Sequence, residues 1–314
     1  MTFPVPYRAR PARRDDLDVL VALFEARDRV DVGFVDQSRD EIVADWAMAR
    51  FDFDRDTIVA EAPDGVIAGY GLVLAHDATV QIFAMGTVHP EHAGRGLGSA
   101  LIHETERRAA LRLPAGVSAP FRSYMPATDA AARQLFVEHG YRLVRSFWHM
   151  QCELPAVDAH AESPDGITMR LGRPHGDEVI AYRVLDEAFR DNFGYEPADQ
   201  EEWLQEFRGM PGYDPSLIVL AFEGEEPIGA SVNLAADDGV GWVGDLGVRE
   251  AWRRRGVGRA LLARSFAELI ARGHHEVRLG VDTENATGAT DLYAGVGMTV
   301  RRRHDLYEKQ LTGA

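Results

Sequence analysis

The chain has one cysteine, Cys152, and one lysine, Lys309, among its 314 residues. A single cysteine excludes an internal disulfide and a cysteine-based metal cluster, and no metal is expected. Cys152 sits in a strand-like stretch, where a small buried hydrophobe is a plainer role than a nucleophile. With lysine almost absent, arginine carries nearly all the positive charge, and that charge is in deficit. Asp and Glu number 50 against 34 Lys and Arg, for a net charge of −16. Nucleic-acid phosphates call for a basic face, so nucleic acid is not an expected partner. The acidity suits attraction of cationic amines as well as plain solubility. No apolar run approaches the roughly 20 residues of a membrane-spanning helix, and the N-terminus lacks a signal-peptide pattern. A soluble, cytoplasmic protein without a membrane partner is the expectation; its oligomeric state is not readable.

What the chain does have is one message written twice. Val88–His89–Pro90–Glu91–His92–Ala93–Gly94–Arg95–Gly96–Leu97–Gly98 is echoed by Val248–Arg249–Glu250–Ala251–Trp252–Arg253–Arg254–Arg255–Gly256–Val257–Gly258, 160 residues later. Each copy follows an apolar strand-like run and opens a helix-like run. A helix start leaves backbone N–H groups without internal partners, and its dipole end is positive. Glycine removes the Cβ that would keep an anion away from those groups. Gly256 and Gly258, ringed by Arg253, Arg254, Arg255 and Arg259, form such a cradle. A plain strand-to-helix turn explains one copy equally well; two copies at the same offset from a valine argue against coincidence. The Gly-Lys-Ser/Thr ending of a nucleotide-binding loop is absent. A dinucleotide fold would place its glycines after an early strand, whereas each copy here follows several.

The arrangement resembles the GNAT superfamily of acyl-CoA-dependent N-acyltransferases, in which a Gln/Arg-x-x-Gly-x-Gly/Ala loop holds the pyrophosphate of coenzyme A. Arg253-x-x-Gly256-x-Gly258 fits that loop fully. The first copy has Ala93 in the Gln/Arg place, then Gly96 and Gly98. The resemblance covers nearly the whole chain as two tandem domains. It implies an α/β fold, each domain a mixed, twisted sheet with helices on both faces and a splayed pair of parallel strands that admits the coenzyme.

The periodicities agree with a duplication. Strands are expected at Tyr7–Arg10, Thr57–Glu61, Val66–Ala75, Thr79–Val88, Phe121–Met125 and Tyr141–Glu153. Helices are expected at about Asp15–Phe24, Asp40–Arg50, Gly96–Leu113 and Asp129–His139. The same order recurs after Leu154–Gly166, which holds two prolines, small residues and acids. The expected division is therefore a first domain over 1–154, a linker over 155–166 and a second domain over 167–314. In the second half, helices are expected at Asp177–Phe189, from about Pro197–Asp199 onward, at Arg255–Arg272 and at Ala289–Val296. Strands are expected at Ile167–Leu171, Leu217–Phe222, Pro227–Leu234, Gly241–Val248, Val277–Val281 and around Thr299–Leu311.

Acetyl transfer from a thioester to an amine needs a polarised carbonyl, a base for the amine proton, a proton for the departing thiolate and a held coenzyme. Asn285 and Tyr293, with Leu292 and Gly297–Met298, match the superfamily's second signature. There the Asn bonds the coenzyme arm and the Tyr protonates sulfur. Eight residues apart, the two share a face if the helix reaches back to 285. Tyr293 also reads as a half-buried core aromatic. Asp245, on the strand before the second loop, is the candidate base. Alternation places Asp245 and Gly247 opposite Leu246 and Val248, and an acid among apolar neighbours has a raised pKa. A structural carboxylate is its other reading, and Glu223, Asp282 and Glu284 are rivals.

The resemblance implies acetyl-CoA as cosubstrate. It would be held by Leu246, Val248, Arg253, Arg254, Arg255, Gly256, Val257, Gly258, Arg259, Asn285 and Tyr293, and by Val88, Gly94, Gly96 and Gly98 if the first half still binds it. The first half carries Phe136 where Tyr293 stands and Met85 where Asp245 stands. Neither handles a proton, so the first domain is expected to be degenerate and the second catalytic. His89 and His92 read as polar surface residues. The acceptor, a small-molecule primary amine, would meet the segment Phe189–Pro197, Trp203 and Pro211–Pro215, which equally reads as helix packing. The tandem layout also resembles a two-copy member of the superfamily that acetylates a cysteinyl amine of a small thiol. A non-catalytic acyl-CoA sensor is the remaining alternative.

Overall fold

The computed structural model describes residues 3–48, 51–75, 82–154, 162–174, 176–197, 199–235, 239–285 and 287–313. In chain order the first elements are β1 (Arg8–Arg10), α1 (Leu17–Asp31), α2 (Arg39–Ala47), α3 (Phe53–Asp56), β2 (Thr57–Glu61), β3 (Ile67–Ala75), β4 (Ile82–Val88), α4 (Leu97–Ala110), β5 (Ser118–Pro126), α5 (Ala130–Glu138) and β6 (Arg142–Glu153). There follow β7 (Ile167–Leu171), α6 (Asp177–Phe189), α7 (Gln200–Gly209), β8 (Val219–Glu223), β9 (Glu226–Ala235), β10 (Val240–Val248), α8 (Val257–Ala271), β11 (Glu276–Asp282), α9 (Ala289–Gly295) and β12 (Thr299–Thr312). The short helix α3, capped by the Asp52 side chain on the Arg55 N–H, is the one helix that apolar spacing does not signal. The part of the predicted fourth strand before Ile82 lies outside the described residues.

Two compact units result: Met1–Ser146 with Arg303–Ala314, and Phe147–Arg302. In the first unit, β1, β2, β3 and β4 are antiparallel neighbours, β4 pairs with β5 in parallel, and β5 pairs antiparallel with residues 304–312 of β12. In the second unit, β7, β8, β9 and β10 are antiparallel, β10 pairs with β11 in parallel, and β11 pairs antiparallel with residues 147–153 of β6. The two topologies are the same.

The limits at 154 and 167 are corrected by this pairing. Residues 147–153 belong to the second unit, and 303–314 belong to the first. Each unit thus takes its last strand from the end of the other half's sequence. A strand's alternation says which face is apolar but not which edge it joins, so the exchange left no mark in the pattern. Of the predicted linker, 155–161 lie outside the described residues. Pro164 is already part of the second unit, lying 3.5 Å from where a Cβ on Gly256 would be.

The second unit has an apolar layer on each side of its sheet. On one side α8 and α9 pack Leu262, Phe266, Leu269 and Tyr293 over Val243, Val277, Leu279 and Val281. On the other, Val184 and Leu185 of α6 and Phe207 of α7 cover Leu220, Ala230 and Val232. Leu262, Phe266 and Leu269 are fully buried, each worth about 1.5–3 kcal/mol in apolar transfer. Between these two layers the parallel strands part.

Candidate active site

The sheet opens because β10 and β11 pair only briefly. Their register runs from Val240↔Glu276 to Trp242↔Arg278 and then stops. A β-bulge on β10 follows at once. Val243 faces Asn233 and Asp245 faces Val232, so Gly244 is the extra residue. The bulge explains why Val243 and Leu246, three apart, both pack toward α8, where an unbroken strand would put them on opposite faces. Gly247 lies on the other face; a Cβ there would come within 2.9 Å of Ala188 on α6. Beyond Trp242 the edge of β10 that faces β11 has no ladder partner, and its backbone groups open into the gap.

A cavity of about 550 Å³ occupies that gap. Its walls are Val243–Val248 of β10, Leu279–Asp282 of β11, the loop before α8, the end of α6 and the start of α9. It collects Asp245, Leu246, Val248, Arg253, Arg254, Gly256, Gly258, Arg259, Asn285 and Tyr293. Two expected members stand apart. Arg255 turns to Glu223, its guanidinium 2.6 Å from the carboxylate, and Val257 is 1% exposed within the apolar core. Arg255 lies before the N-cap glycine and is drawn to Glu223, and Val257, the first residue of α8, faces the core, so both fall away from the gap.

The loop is shaped by backbone conformation. Gly256 has φ +81° at the α8 N-cap and offers no side-chain cap to the first N–H groups. Arg254 has φ +61°, the only non-glycine residue with positive φ among the described residues. Holding an L side chain there costs about 1–2 kcal/mol. Arg253 ties the loop down by donating to the carbonyls of Val248 (3.1 Å) and Ala188 (2.8 Å). Arg254 and Arg259 line the cavity and have no ion-pair partner among the described residues. Left-handed turns, a bare helix start and two uncommitted guanidinium groups fit a diphosphate.

The two groups expected to handle protons, Asp245 on β10 and Tyr293 on α9, both line this cavity. Asp245 is half-buried, and burial with the nearby charge of Glu206 pushes its pKa up to about 6. Tyr293, on α9, is 7% exposed. Burial, and then the charge of Asp245, push its pKa up to about 12. Neither the carboxylate nor the hydroxyl has a hydrogen-bond partner among the described residues. Buried polar groups are usually paired, so a pair of unpartnered ones facing one cavity marks a place for a ligand.

Asn285 does not reach this site on a helix face. α9 begins only after Gly288, and Asn285 sits in the preceding turn, where its side-chain oxygen accepts from the Thr287 N–H at 2.8 Å. Turn residues dominate 283–288, which is why the helix stops short. Of the rival acids, Glu223 is held below the usual carboxylate range by Arg255 and by the Trp252 indole N–H, and it does not line the cavity. Asp282 does, accepting from the Glu284 N–H at 2.9 Å. Phe189 lines the cavity, with Asn192 and Phe193 from the loop after it. Trp203 instead packs on Phe207 at 4.4 Å between ring centroids. Phe147 of β6 is a lining residue that sequence reasoning missed. It lies far from every motif, and only strand pairing opposite Asp282 brings it there.

The first unit repeats the loop but not its charge. Gly94 and Gly96 have φ +73° and +80°, matching Arg254 and Gly256. Ala93, Gly94 and Ser99 replace Arg253, Arg254 and Arg259. Arg95 donates to Tyr7 and to the Glu91 carbonyl. His92 is bonded to Tyr7 at 2.8 Å. The register of β3 with β4 runs without a bulge. Met85 packs against the core, and Phe136 meets Tyr141 edge-on and stacks on Tyr307. Cys152, in the second unit, is buried, and its thiol is pushed up to about 11, so it is not a nucleophile at neutral pH.

Two family models match the chain: Acetyltransferase (GNAT) family over residues 180–298 and Acetyltransferase (GNAT) domain over residues 54–143. Mycothiol acetyltransferase of Kineococcus radiotolerans is 31% identical over 302 residues, covering 92% of this chain and 91% of the relative. That of a Nocardioides species is 30% identical over 247 residues, covering 74% and 79%. This chain belongs to the GNAT family. It is an acetyl-CoA-dependent N-acetyltransferase with two tandem GNAT domains. A solved GCN5-related N-acetyltransferase from Sphaerobacter thermophilus shares 34% identity and a TM-score of 0.88, covering 100% of this acetyltransferase and 98% of that chain. A tandem GNAT protein from the clavulanic acid biosynthesis pathway shares the fold at 16% identity, with a TM-score of 0.74. No helix among the described residues is long and apolar enough to cross a membrane.

Proposed function

We propose that the second unit is the catalytic one and that it acetylates the primary amine of a small molecule by direct attack. The observation that carries this is the pairing of an unpartnered Asp245 carboxylate and an unpartnered Tyr293 hydroxyl across one cavity. Bound acetyl-CoA supplies the acetyl group as a thioester. Gly256, Gly258 and the N–H groups at the start of α8 take the diphosphate, with Arg254 and Arg259 adding charge-assisted bonds. Asn285 faces the coenzyme arm. N–H groups on the open edge of β10 polarise the carbonyl oxygen. Asp245, with a pKa of about 6, is ionised at neutral pH and takes the amine proton as nitrogen attacks. Tyr293, with its pKa near 12, keeps its proton until the sulfur needs it.

The first unit's loop has the backbone shape and one already committed arginine, which supports a binding relic or scaffold over a second active site. Calorimetric titration with acetyl-CoA tests this: one strong equivalent is expected, and two equal ones would give both loops the same role. Absence of binding would remove the reading altogether. A second reading, a mycothiol-type cysteinyl acceptor, is favoured by the likeness to the mycothiol acetyltransferase of Kineococcus radiotolerans, which aligns over 92% of the chain.

A further inference from the structure

We infer that the acceptor taken at this site is a cationic amine on an aromatic or similarly bulky apolar body, with no carboxylate or phosphate of its own. The inference rests on the acetyltransferase site placed in the second unit. It follows from how the cavity's chemistry divides between its two ends. The cations, Arg253, Arg254 and Arg259, all belong to the loop and the start of α8. The Arg253 guanidinium is already committed to two backbone carbonyls.

The other end lies on the sheet face that Asp245 and Gly247 share, under α6. Phe147 on β6 stands directly opposite Asp282 on β11, so both point to this face. Phe189 and Phe193 close it from α6 and the loop that follows. Three phenylalanine rings therefore surround two carboxylates, Asp245 and Asp282. Glu206 on α7 lies near enough to add its negative charge to Asp245. Asn192 adds a neutral polar side chain from the loop after α6, and the cations lining the cavity among the described residues are the loop and α8 arginines already named. The basic pair His149–Arg302 stands beside Trp242, outside the cavity lining.

An ammonium entering here meets carboxylates and ring faces, both favourable to a cation. A carboxylate on the acceptor meets the like charges of Asp245 and Glu206. A polyhydroxylated acceptor leaves hydroxyls without partners against phenylalanine, and sites discriminate strongly on that ground.

The test compares 2-phenylethylamine, phenylalanine and glucosamine as acceptors for the full-length protein, reading thiol release from acetyl-CoA. The first two differ only by the α-carboxylate. We expect kcat/KM for 2-phenylethylamine to exceed both others by about 10-fold or more, and Phe193→Ala to shrink that ratio. Acetyl-CoA binding by the variant, measured by calorimetry, reports that its fold is kept. Phenylalanine or glucosamine matching 2-phenylethylamine overturns the inference, and so does turnover of none of the three by protein that binds acetyl-CoA. Failure to bind acetyl-CoA is a different result: it removes the underlying site.

Discussion

At the scale of single residues, the proposed mechanism depends on two ionisable groups kept in unlike states. Tyr293→Phe removes only the hydroxyl from a ring that is otherwise core. It should leave thermal stability nearly unchanged and slow acetyl transfer by about 10²-fold, the usual size of acid catalysis; wild-type turnover by the variant would show that the hydroxyl carries no proton. Asp245 has a folded-state pKa raised to about 6 from an ordinary 3.8. In the wild type, kcat/KM should climb with pH up to about 6 and then level. Asp245→Asn should lose about 10²-fold at pH 7 and recover toward high pH, where the amine deprotonates itself. The stability sign is the reverse. A raised carboxylate pKa favours the protonated fold, so ionised Asp245 destabilises the native state above pH 6 and ceases to do so below about pH 4. Asp245→Asn should therefore raise the Tm at pH 8, with the gain vanishing near pH 4. A stabilised but slow variant is the pattern expected of a functional charge held at a cost.

At the scale of elements, the proposed cradle before α8 sets conformational strain against binding. Arg254 stands with φ +61° where the first unit has Gly94. Arg254→Gly relieves about 1–2 kcal/mol of strain and gives back about 0.4–1 kcal/mol through a freer unfolded chain. Its Tm should stay level or rise slightly. Acetyl-CoA affinity should fall about tenfold, the worth of one charge-assisted bond to phosphate. Scanning calorimetry and titration calorimetry on the same sample check both halves, and unchanged affinity would take Arg254 out of the diphosphate cradle. The bulge at Gly244 is the other decisive device at this scale. Without an extra residue β4 carries Met85 into its core; with one, β10 brings Asp245 to an open gap.

At the scale of the whole molecule, the chain's last strand completes its first unit. Residues 304–312 pair with β5 along its length, and Leu306 and Tyr307 are 1% and 3% exposed. Truncation after Arg302 would strip that edge of its partner and of at least two buried side chains, about 3–6 kcal/mol together. We expect the Tm to drop by about 10 °C or more and an open β5 edge to promote association. Thermal melts with light scattering read both, and a shift under about 2 °C would mean that the strand is dispensable.

The residues alone determined whatever local chemistry dictates. The paired glycine loops, the alternating strands and the replacement of Tyr293 and Asp245 by Phe136 and Met85 are all legible in one reading of the chain. These features rest on contacts between near neighbours or on the absence of a functional group, and neither needs a partner to be known. Tertiary structure alone decided the rest. Pairing exchanged the last strands between halves, because an apolar alternation names a face and not an edge. It placed Phe147 opposite Asp282, and turned Arg255 away to Glu223 while leaving Arg254 and Arg259 facing the cavity. Each depends on which groups meet in three dimensions, and no spacing along the chain encodes that meeting.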